Sequence, residues 1–191
     1  MKRVRLLSVL GFGVFSGIFL FLPTAEALSL NGNWVLDGGT VSYHGNWMVK
    51  SWDGVSKEVK GKGSCDQTGC EFLVAAPVQS FDSDNSNRDA HMLEEVKGAI
   101  HKMVIVHIDH VALSEKGDAV TADLEIELGG KKVRFPKAPF TLKPADSNLY
   151  RLTGKIPATL SQFQIDPPSL MGVSMSEEIP VTVDVVWRRE K

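Results

Sequence analysis

The sequence lacks a surplus of positive charge. Its 21 Lys and Arg residues are balanced by 23 Asp and Glu residues, which gives a formal net charge of −2 at pH 7. A protein that binds nucleic acid usually carries a basic patch, because Lys and Arg make most of its phosphate contacts. No such patch or run of arginines is present, so we expect no nucleic-acid partner.

Local signatures of catalysis are also missing. The chain contains no Gly-x-Ser-x-Gly nucleophile motif, no His-Glu-x-x-His zinc motif and no phosphate-binding loop. A hydrolase built from scattered Ser, His and Asp side chains is not recognisable in one sequence, and nothing favours it here. We therefore expect a protein that is not an enzyme and has no catalytic residues.

Cysteine is scarce, with Cys65 and Cys70 as the only two. The four residues between them, DQTG, have the composition of a tight turn, so a disulfide across a hairpin is expected. A redox-active pair usually shows the closer Cys-x-x-Cys spacing, and a metal site would need further ligands. We predict a structural disulfide between the two cysteines.

The first 27 residues differ in character from the rest. Three basic residues lie within the first five positions, an uncharged apolar run covers residues 6–22, and an Ala-Glu-Ala sequence ends at Ala27. This order is typical of a cleaved secretory signal peptide, although the apolar run approaches the length of a membrane anchor. We expect cleavage after Ala27, which leaves residues 28–191 as one exported, periplasmic domain.

Alternation of apolar and polar residues dominates residues 28–191. In residues 120–128, five apolar side chains at alternate positions would share one face of a strand, and Gly129-Gly130 then predicts a two-residue hairpin turn into a strand over residues 131–135. A similar strand covers residues 179–187. Less regular strands are predicted over residues 34–36, 40–49, 55–63, 71–79, 101–113 and 149–156.

Helical periodicity is limited to two short segments. One covers residues 86–96, where Ser86 would cap the first turn, and the other begins at Ser161, which opens a Ser-x-x-Gln capping box. About eight or nine strands linked by short turns predict an all-β antiparallel barrel or sandwich. A closed barrel of eight strands would be just wide enough to be filled by side chains or to hold one small ligand.

Residues 80–92, SFDSDNSNRDAHM, contain three aspartates among turn-forming residues. In a calcium-binding loop that began at Asp82, the sixth position should be Gly and the twelfth a bidentate Glu. Those positions hold Asn87 and Leu93, and Arg88 brings a positive charge into the middle of the segment. We therefore assign no metal ligands here.

The same segment resembles the most recognisable part of the YceI-like family, in which a strand leads into Ser-x-x-(Ser/Thr)-x-Asn, a spacer and Arg-Asp. WVLD at residues 34–37 is similar to the family's opening strand, and residues 152–165 and 178–187 are similar to its late and closing strands. The resemblance implies an exported, eight-stranded antiparallel lipocalin-like barrel with one or two short helices. It also implies that the apolar interior binds a polyisoprenoid or related lipid chain.

An apolar chain needs a continuous apolar lining, because its affinity comes from hydrocarbon removed from water at about 25 cal/mol per Å². The inward positions of three predicted strands would supply this lining, although the same residues could also form a filled core. The expected lining is Phe72, Val74, Ala76, Val78, Val120, Ala122, Leu124, Ile126, Val181, Val183, Val185 and Trp187.

Arg88, Asp89 and Met92 are expected at the mouth of this pocket, where Arg88 would meet a polar head group. In the alternative interpretation they are structural: Arg88 and Asp89 tie a turn to the barrel rim through charge-assisted hydrogen bonds, and Met92 presses a short helix over one end. We expect a bound lipid chain, isoprenoid or fatty-acid-like, and no cofactor. The sequence leaves open a transient contact with a membrane or a membrane protein.

Histidines support a competing hypothesis, because clustered histidines in an exported protein could hold a metal or a haem. Alternation places His101 and His107 on one face of a predicted strand, about 20 Å apart at roughly 3.3 Å per residue, with His110 on the other. No two of them could share an ion without another strand. The alternative function is a periplasmic metal- or haem-associated protein that serves a membrane b-type cytochrome.

Overall fold

Antiparallel strands make up most of the fold. The structure, a computed structural model, describes residues 29–170 and 172–190; the predicted signal peptide lies outside these residues. The elements are β1 (Gly32–Trp47), β2 (Lys50–Ser56), β3 (Lys60–Cys65), β4 (Cys70–Pro77), α1 (Ser86–Glu95), β5 (Met103–Leu113), β6 (Ala119–Leu128), β7 (Lys131–Asp146), β8 (Leu149–Ile156), β9 (Ser169–Leu170), β10 (Val173–Ser174) and β11 (Val181–Arg189). Short 3-10 helices cover Val78–Ser80 and Ser161–Phe163.

The main sheet closes on itself through β1. The strands follow the order β11-β8-β7-β6-β5-β4-β3-β1-β2, and β1 also pairs with β11 along residues 34–43. On its other edge β1 pairs first with β3 and then with β2. β2 and β3 together therefore occupy one strand position of the barrel. The result is a closed eight-stranded antiparallel barrel, which confirms the predicted barrel over the sandwich.

Strand β6 has the predicted alternation. Val120, Ala122, Leu124 and Ile126 are buried on one face, and Gly129 and Gly130 turn the chain with φ of +59° and +74°, as a two-residue hairpin requires. The prediction for β7 was too short, because this strand continues to Asp146.

A β-bulge explains the missed half of β7. Lys137 has a φ of +52°, and the pairing with β6 shifts between Ala122 and Leu124. Phe135 is buried before the bulge, and Ala138 and Phe140 are buried after it. The apolar positions therefore change from odd to even numbers, and a strict period of two does not follow them.

Aromatic residues fill the end of the barrel where β1 begins. Trp34 packs edge-on against Tyr150 at 5.3 Å between ring centroids, and Phe72 packs against Trp187 at 5.2 Å. The Trp34 indole N–H donates a hydrogen bond to the carbonyl of Leu30 at 2.7 Å. We call this the closed end; the predicted disulfide between Cys65 and Cys70 is present beside it.

The opposite, open end carries α1, the β1–β2 hairpin and the segment between β8 and β11. In the ranges 29–170 and 172–190, no helix has the length and apolar character needed to cross a membrane. Both predicted helical segments exist, but their caps differ from the prediction. Asn85, not Ser86, caps α1, and Ser161 lies inside its 3-10 turn and does not cap it.

Candidate functional site

A cavity of about 1250 Å³ occupies the barrel interior and reaches the surface at the open end. Its walls are mainly aliphatic side chains from β4, β5, β6, β8 and β11, while charged and polar side chains lie at the rim. The volume is slightly above the roughly 300–1,000 Å³ typical of small-molecule pockets. The barrel is therefore hollow over part of its length and is not uniformly filled.

Most of the predicted lining residues face this cavity. Those that do are Val74, Val78, Leu124, Ile126, Val181, Val183, Val185 and Trp187. Two more come from β5, Val104 and Val106. The sequence did not assign a face to β5, because apolar residues occur at both odd and even positions there.

Four predicted lining residues do not border the cavity among the described residues: Phe72, Ala76, Val120 and Ala122. Phe72 packs against Trp187 at the closed end. Val120 and Ala122 are buried in the core near the start of β6, and Ala76 is buried in a group of apolar residues that includes Trp34 and Trp187. Alternation gives the face of a strand and not the depth along the barrel axis, which accounts for Phe72, Val120 and Ala122. Ala76 lies between Val74 and Val78, which both line the cavity, but its own short side chain does not border it.

The sequence also missed lining residues outside the three most regular strands. Tyr43 and Trp52 contribute from β1 and β2, and Phe163 and Ile165 contribute from the segment that follows β8. Residues 163–165 belong to a stretch that resembles the YceI-like family. Nothing in their spacing, however, indicates that they lie over the cavity.

The Arg-Asp segment is held together by Ser83, which is buried. The Ser83 hydroxyl donates to the Asp89 carboxylate at 2.5 Å and accepts a hydrogen bond from Arg88 Nε at 2.9 Å. Arg88 Nη2 also donates to the Ser83 carbonyl at 2.5 Å. These charge-assisted contacts tie the start of α1 to the loop that precedes it, whereas the structural interpretation had them tie the turn to the barrel rim.

The loop is in turn joined to the barrel. Val55 of β2 and Asp82 exchange two backbone hydrogen bonds, at 2.8 and 3.1 Å. The Asn85 side chain accepts from the backbone N–H of Arg88 at 3.0 Å and caps α1. The helix is thereby fixed over the open end, where Met92 and Arg88 line the mouth of the cavity and Asp89 faces Ser83.

Arg88 also contacts the cavity wall through Trp52. Its guanidinium carbon lies 4.7 Å from the centroid of the indole ring, a cation–π geometry. The buried indole N–H of Trp52 approaches the Tyr43 hydroxyl, but it has no well-formed hydrogen bond with any described residue. We call Tyr43, Trp52 and Arg88 the aromatic–arginine cluster.

Electrostatics keep this cluster rich in hydrogen-bond donors. Burial raises the pKa of the Tyr43 phenol, the negative charge of Asp89 raises it further, and Arg88 opposes the rise. The phenol is therefore protonated at neutral pH. The cluster offers O–H, N–H and guanidinium donors at the edge of an otherwise apolar cavity.

Glycines opposite the two rings make room for them. A Cβ atom on Gly54 would lie 2.2 Å from Tyr43 Cε1, and one on Gly45 would lie 2.8 Å from the Trp52 ring. Gly54 pairs directly with Tyr43, and Gly45 pairs with Trp52, across the β1–β2 ladder. Each ring therefore lies flat over the glycine of the opposite strand.

The histidines do not converge on one site. His110 has a φ of +48° in a β-bulge. The bulge places its exposed ring beside Asp123 on the outer surface. The prediction that His110 faces away from His107 was therefore wrong. His110 Nδ1 lies 3.0 Å from Asp109 and 3.6 Å from Asp123. Arg134 contacts both carboxylates at 3.4 Å and already supplies their positive partner.

Comparison with known proteins places the fold. No protein-family model and no curated protein sequence matches the chain. A polyisoprenoid-binding domain from Saccharophagus degradans superposes with a TM-score of 0.67 at 11% identity, covering 82% of this chain and 98% of that one. This chain has the YceI-like fold.

Two further structures agree with this assignment. Burkholderia cenocepacia BcnA has a TM-score of 0.64 at 13% identity, covering 78% of this chain and 95% of its own. The Campylobacter jejuni YceI protein has a TM-score of 0.54 at 14% identity, covering 100% and 99%. The YceI-like resemblance predicted from the sequence is confirmed at the level of the fold.

Replacing Gly54 with alanine tests whether the glycine positions the Tyr43 ring. We expect Gly54→Ala to lower the free energy of unfolding by about 1–3 kcal/mol, because the new methyl group overlaps the ring. Gly38→Ala is the matched control, since a Cβ there meets no atom within 4 Å. Urea unfolding measures both variants; equal stability would contradict the packing described.

Proposed function

We propose that this protein is an exported lipid-binding protein that holds an isoprenoid or similar apolar chain inside its barrel. The observation that carries the proposal is the apolar cavity of about 1250 Å³ with the aromatic–arginine cluster near its mouth. Moving an apolar chain from water into such a lining is favourable by about 25 cal/mol per Å². A structurally similar domain from Saccharophagus degradans is described as polyisoprenoid-binding, which supports the same class of ligand.

Binding without catalysis is the role that the lining supports. Titratable side chains border the cavity near its open end. They belong to the β1–β2 hairpin, to α1, to the loop after β8 or to the adjoining wall, and include Arg88, Glu95 and Asp166. His91 is the one histidine among the described lining residues, so a histidine-held haem inside the barrel gains no support. An uncharged interior suits retention of a hydrocarbon chain better than bond cleavage.

The aromatic–arginine cluster is the proposed position of the ligand's polar end. Its Tyr43, Trp52 and Arg88 groups are all donors, and a buried N–H without a partner is costly until an acceptor reaches it. A head group with acceptor oxygens, such as a carbonyl, carboxylate or phosphate, would satisfy these donors. The apolar tail would then extend towards Leu124 and Trp187.

Filling the cavity should weaken binding without unfolding the protein. We expect Val183→Trp to weaken the binding of all-trans-retinol by about tenfold or more, because the indole takes volume and apolar contact from the ligand. Thr182→Trp is the matched control, since Thr182 is the neighbour of Val183 in β11 and its side chain is exposed on the outer face. Retinol fluorescence titration measures both variants, and equal weakening in the two would argue against an occupied interior.

Arg88 should discriminate between head groups. We expect Arg88→Gln to reduce the preference for all-trans-retinoic acid over all-trans-retinol by about tenfold, because a charge-assisted hydrogen bond to the carboxylate is lost. The ratio is informative because loosening of α1 alone would weaken both ligands together. Arg151→Gln is the control, since Arg151 pairs with Asp184 on the outer wall; an unchanged ratio in Arg88→Gln would remove Arg88 from the head-group site.

Export is supported by the N-terminal sequence, with its basic start, apolar run and Ala-Glu-Ala ending at Ala27. A hairpin disulfide is also the kind of bond that persists in an oxidising compartment. We expect the full-length gene product in a Gram-negative host to reach the periplasmic fraction with Leu28 as its first residue. Intact-mass analysis measures this directly; full-length protein retained in the membrane would favour the anchor instead.

A further inference from the structure

The β1–β2 hairpin extends past the rim of the barrel. The pairing of β11 with β1 ends at Tyr43, whereas β1 and β2 continue together to the pair Trp47 and Lys50. Met48 and Val49 form the tip between them, with 69% and 98% of their surfaces exposed. Both apolar side chains therefore lie in solvent at the tip of the hairpin.

The residues at this tip are unusual for their position. Two-residue hairpin turns favour Asn-Gly or Asp-Gly where both central residues have positive φ, and Gly-x where only the first has it. Met48 has a φ of +55°, whereas Val49 does not have a positive φ, so this turn favours Gly at position 48 and strains a residue that carries a side chain. Neither the turn geometry nor burial accounts for a methionine and a valine here, so folding alone does not explain them.

The tip is also part of the cavity mouth. Trp47, Val49 and Lys50 border the opening, and the Trp47 indole N–H donates to the carbonyl of Val173 at 3.1 Å. Val173 is itself 40% exposed. Trp47, Met48, Val49 and Val173 thus form an apolar patch beside the opening, which we call the mouth patch.

The size and charge of the mouth patch indicate its partner. A stable protein interface buries about 800 Å² on each side, more than two exposed side chains and their neighbours provide, whereas a bilayer accepts small apolar projections. Tryptophan favours the membrane interface and lysine can extend its ammonium group to the head groups. Residues 45–52 contain one Lys and no acidic residue.

We propose that the open end docks on a lipid bilayer by inserting the mouth patch into its interfacial region. Residues 28–191 contain 18 Lys and Arg residues and 22 Asp and Glu residues, a net charge of −4, which gives anionic lipids no general attraction for the chain. Insertion is therefore driven by apolar contact and works on neutral lipids. The cavity mouth then faces the hydrocarbon, and a chain passes between bilayer and barrel without crossing water. This inference rests on the proposed lipid-binding function and adds the membrane surface as its partner.

The double variant Met48→Gly, Val49→Asn tests docking without harming the fold. It removes both exposed apolar side chains and installs the turn sequence that the geometry prefers, so thermal stability should be unchanged or higher. We expect its partitioning onto sucrose-loaded phosphatidylcholine vesicles, measured by co-sedimentation, to fall about tenfold. Leu73→Ser, which removes an exposed apolar side chain from the outer wall, should partition like the unchanged protein.

Docking and ligand binding are separated by delivering solanesol, a long isoprenoid alcohol, in two ways. From detergent, the unchanged protein and the double variant should bind it equally; from loaded phosphatidylcholine vesicles, the variant should acquire about tenfold less in a fixed time. Failure of the unchanged protein to bind solanesol from detergent would overturn the proposed function. Normal binding from detergent with equal uptake from vesicles would overturn the docking inference alone, as would vesicle binding that requires anionic lipid and is abolished by salt.

Discussion

The pairing of β1 with β11 is the interaction on which the rest of the structure depends. It joins the first and last strands of the sheet and closes the wall into a ring, which removes the two long edges that an open sheet would leave for intermolecular pairing. β1 can close the barrel because it is long: it contacts β3 near its start and β2 near its end. The same length carries the hairpin past the rim and places its tip beside the cavity mouth.

A hollow barrel can be stable here because its two ends are packed differently. At the closed end, Gly61 and Gly63 of β3 have no side chains, and the rings of Trp187 and Phe72 fill the space that this leaves. Towards the open end, aliphatic residues of moderate size face one another across empty volume. A hydrocarbon chain bound there would add dispersion contacts to these side chains.

The sequence predicted elements better than it predicted depth. The alternation of β6, the Gly129-Gly130 turn and the hairpin disulfide follow local rules that act within a few residues, and the structure contains all three. Which inward residues border the cavity depends on the stagger between strands and on the rings of the closed end. Both are set by contacts distant in sequence, so Val120 could not be distinguished from Leu124 by pattern alone.

Bulges account for the errors in β5 and β7, and these errors share one cause. A bulge inserts one residue into a strand and reverses the faces of all residues that follow. Lys137 in β7 and His110 in β5 both adopt positive φ at such positions. Lysine and histidine give no glycine-like signal in the sequence, so these reversals were invisible there and the histidine faces were assigned from a regularity that the strand does not have.

The Arg-Asp segment shows why a structural and a binding role need not compete. Ser83 holds Asp89 through its hydroxyl and backbone, and the same hydroxyl accepts from Arg88. This arrangement uses Nε and Nη2 of Arg88, whereas Nη1 makes no hydrogen bond within the described part of the chain. The guanidinium is consequently fixed against Trp52 by contacts that a ligand need not disturb, and a preorganised donor loses little entropy when an acceptor binds. Fixing the loop is therefore what would make the arginine an effective contact for a head group.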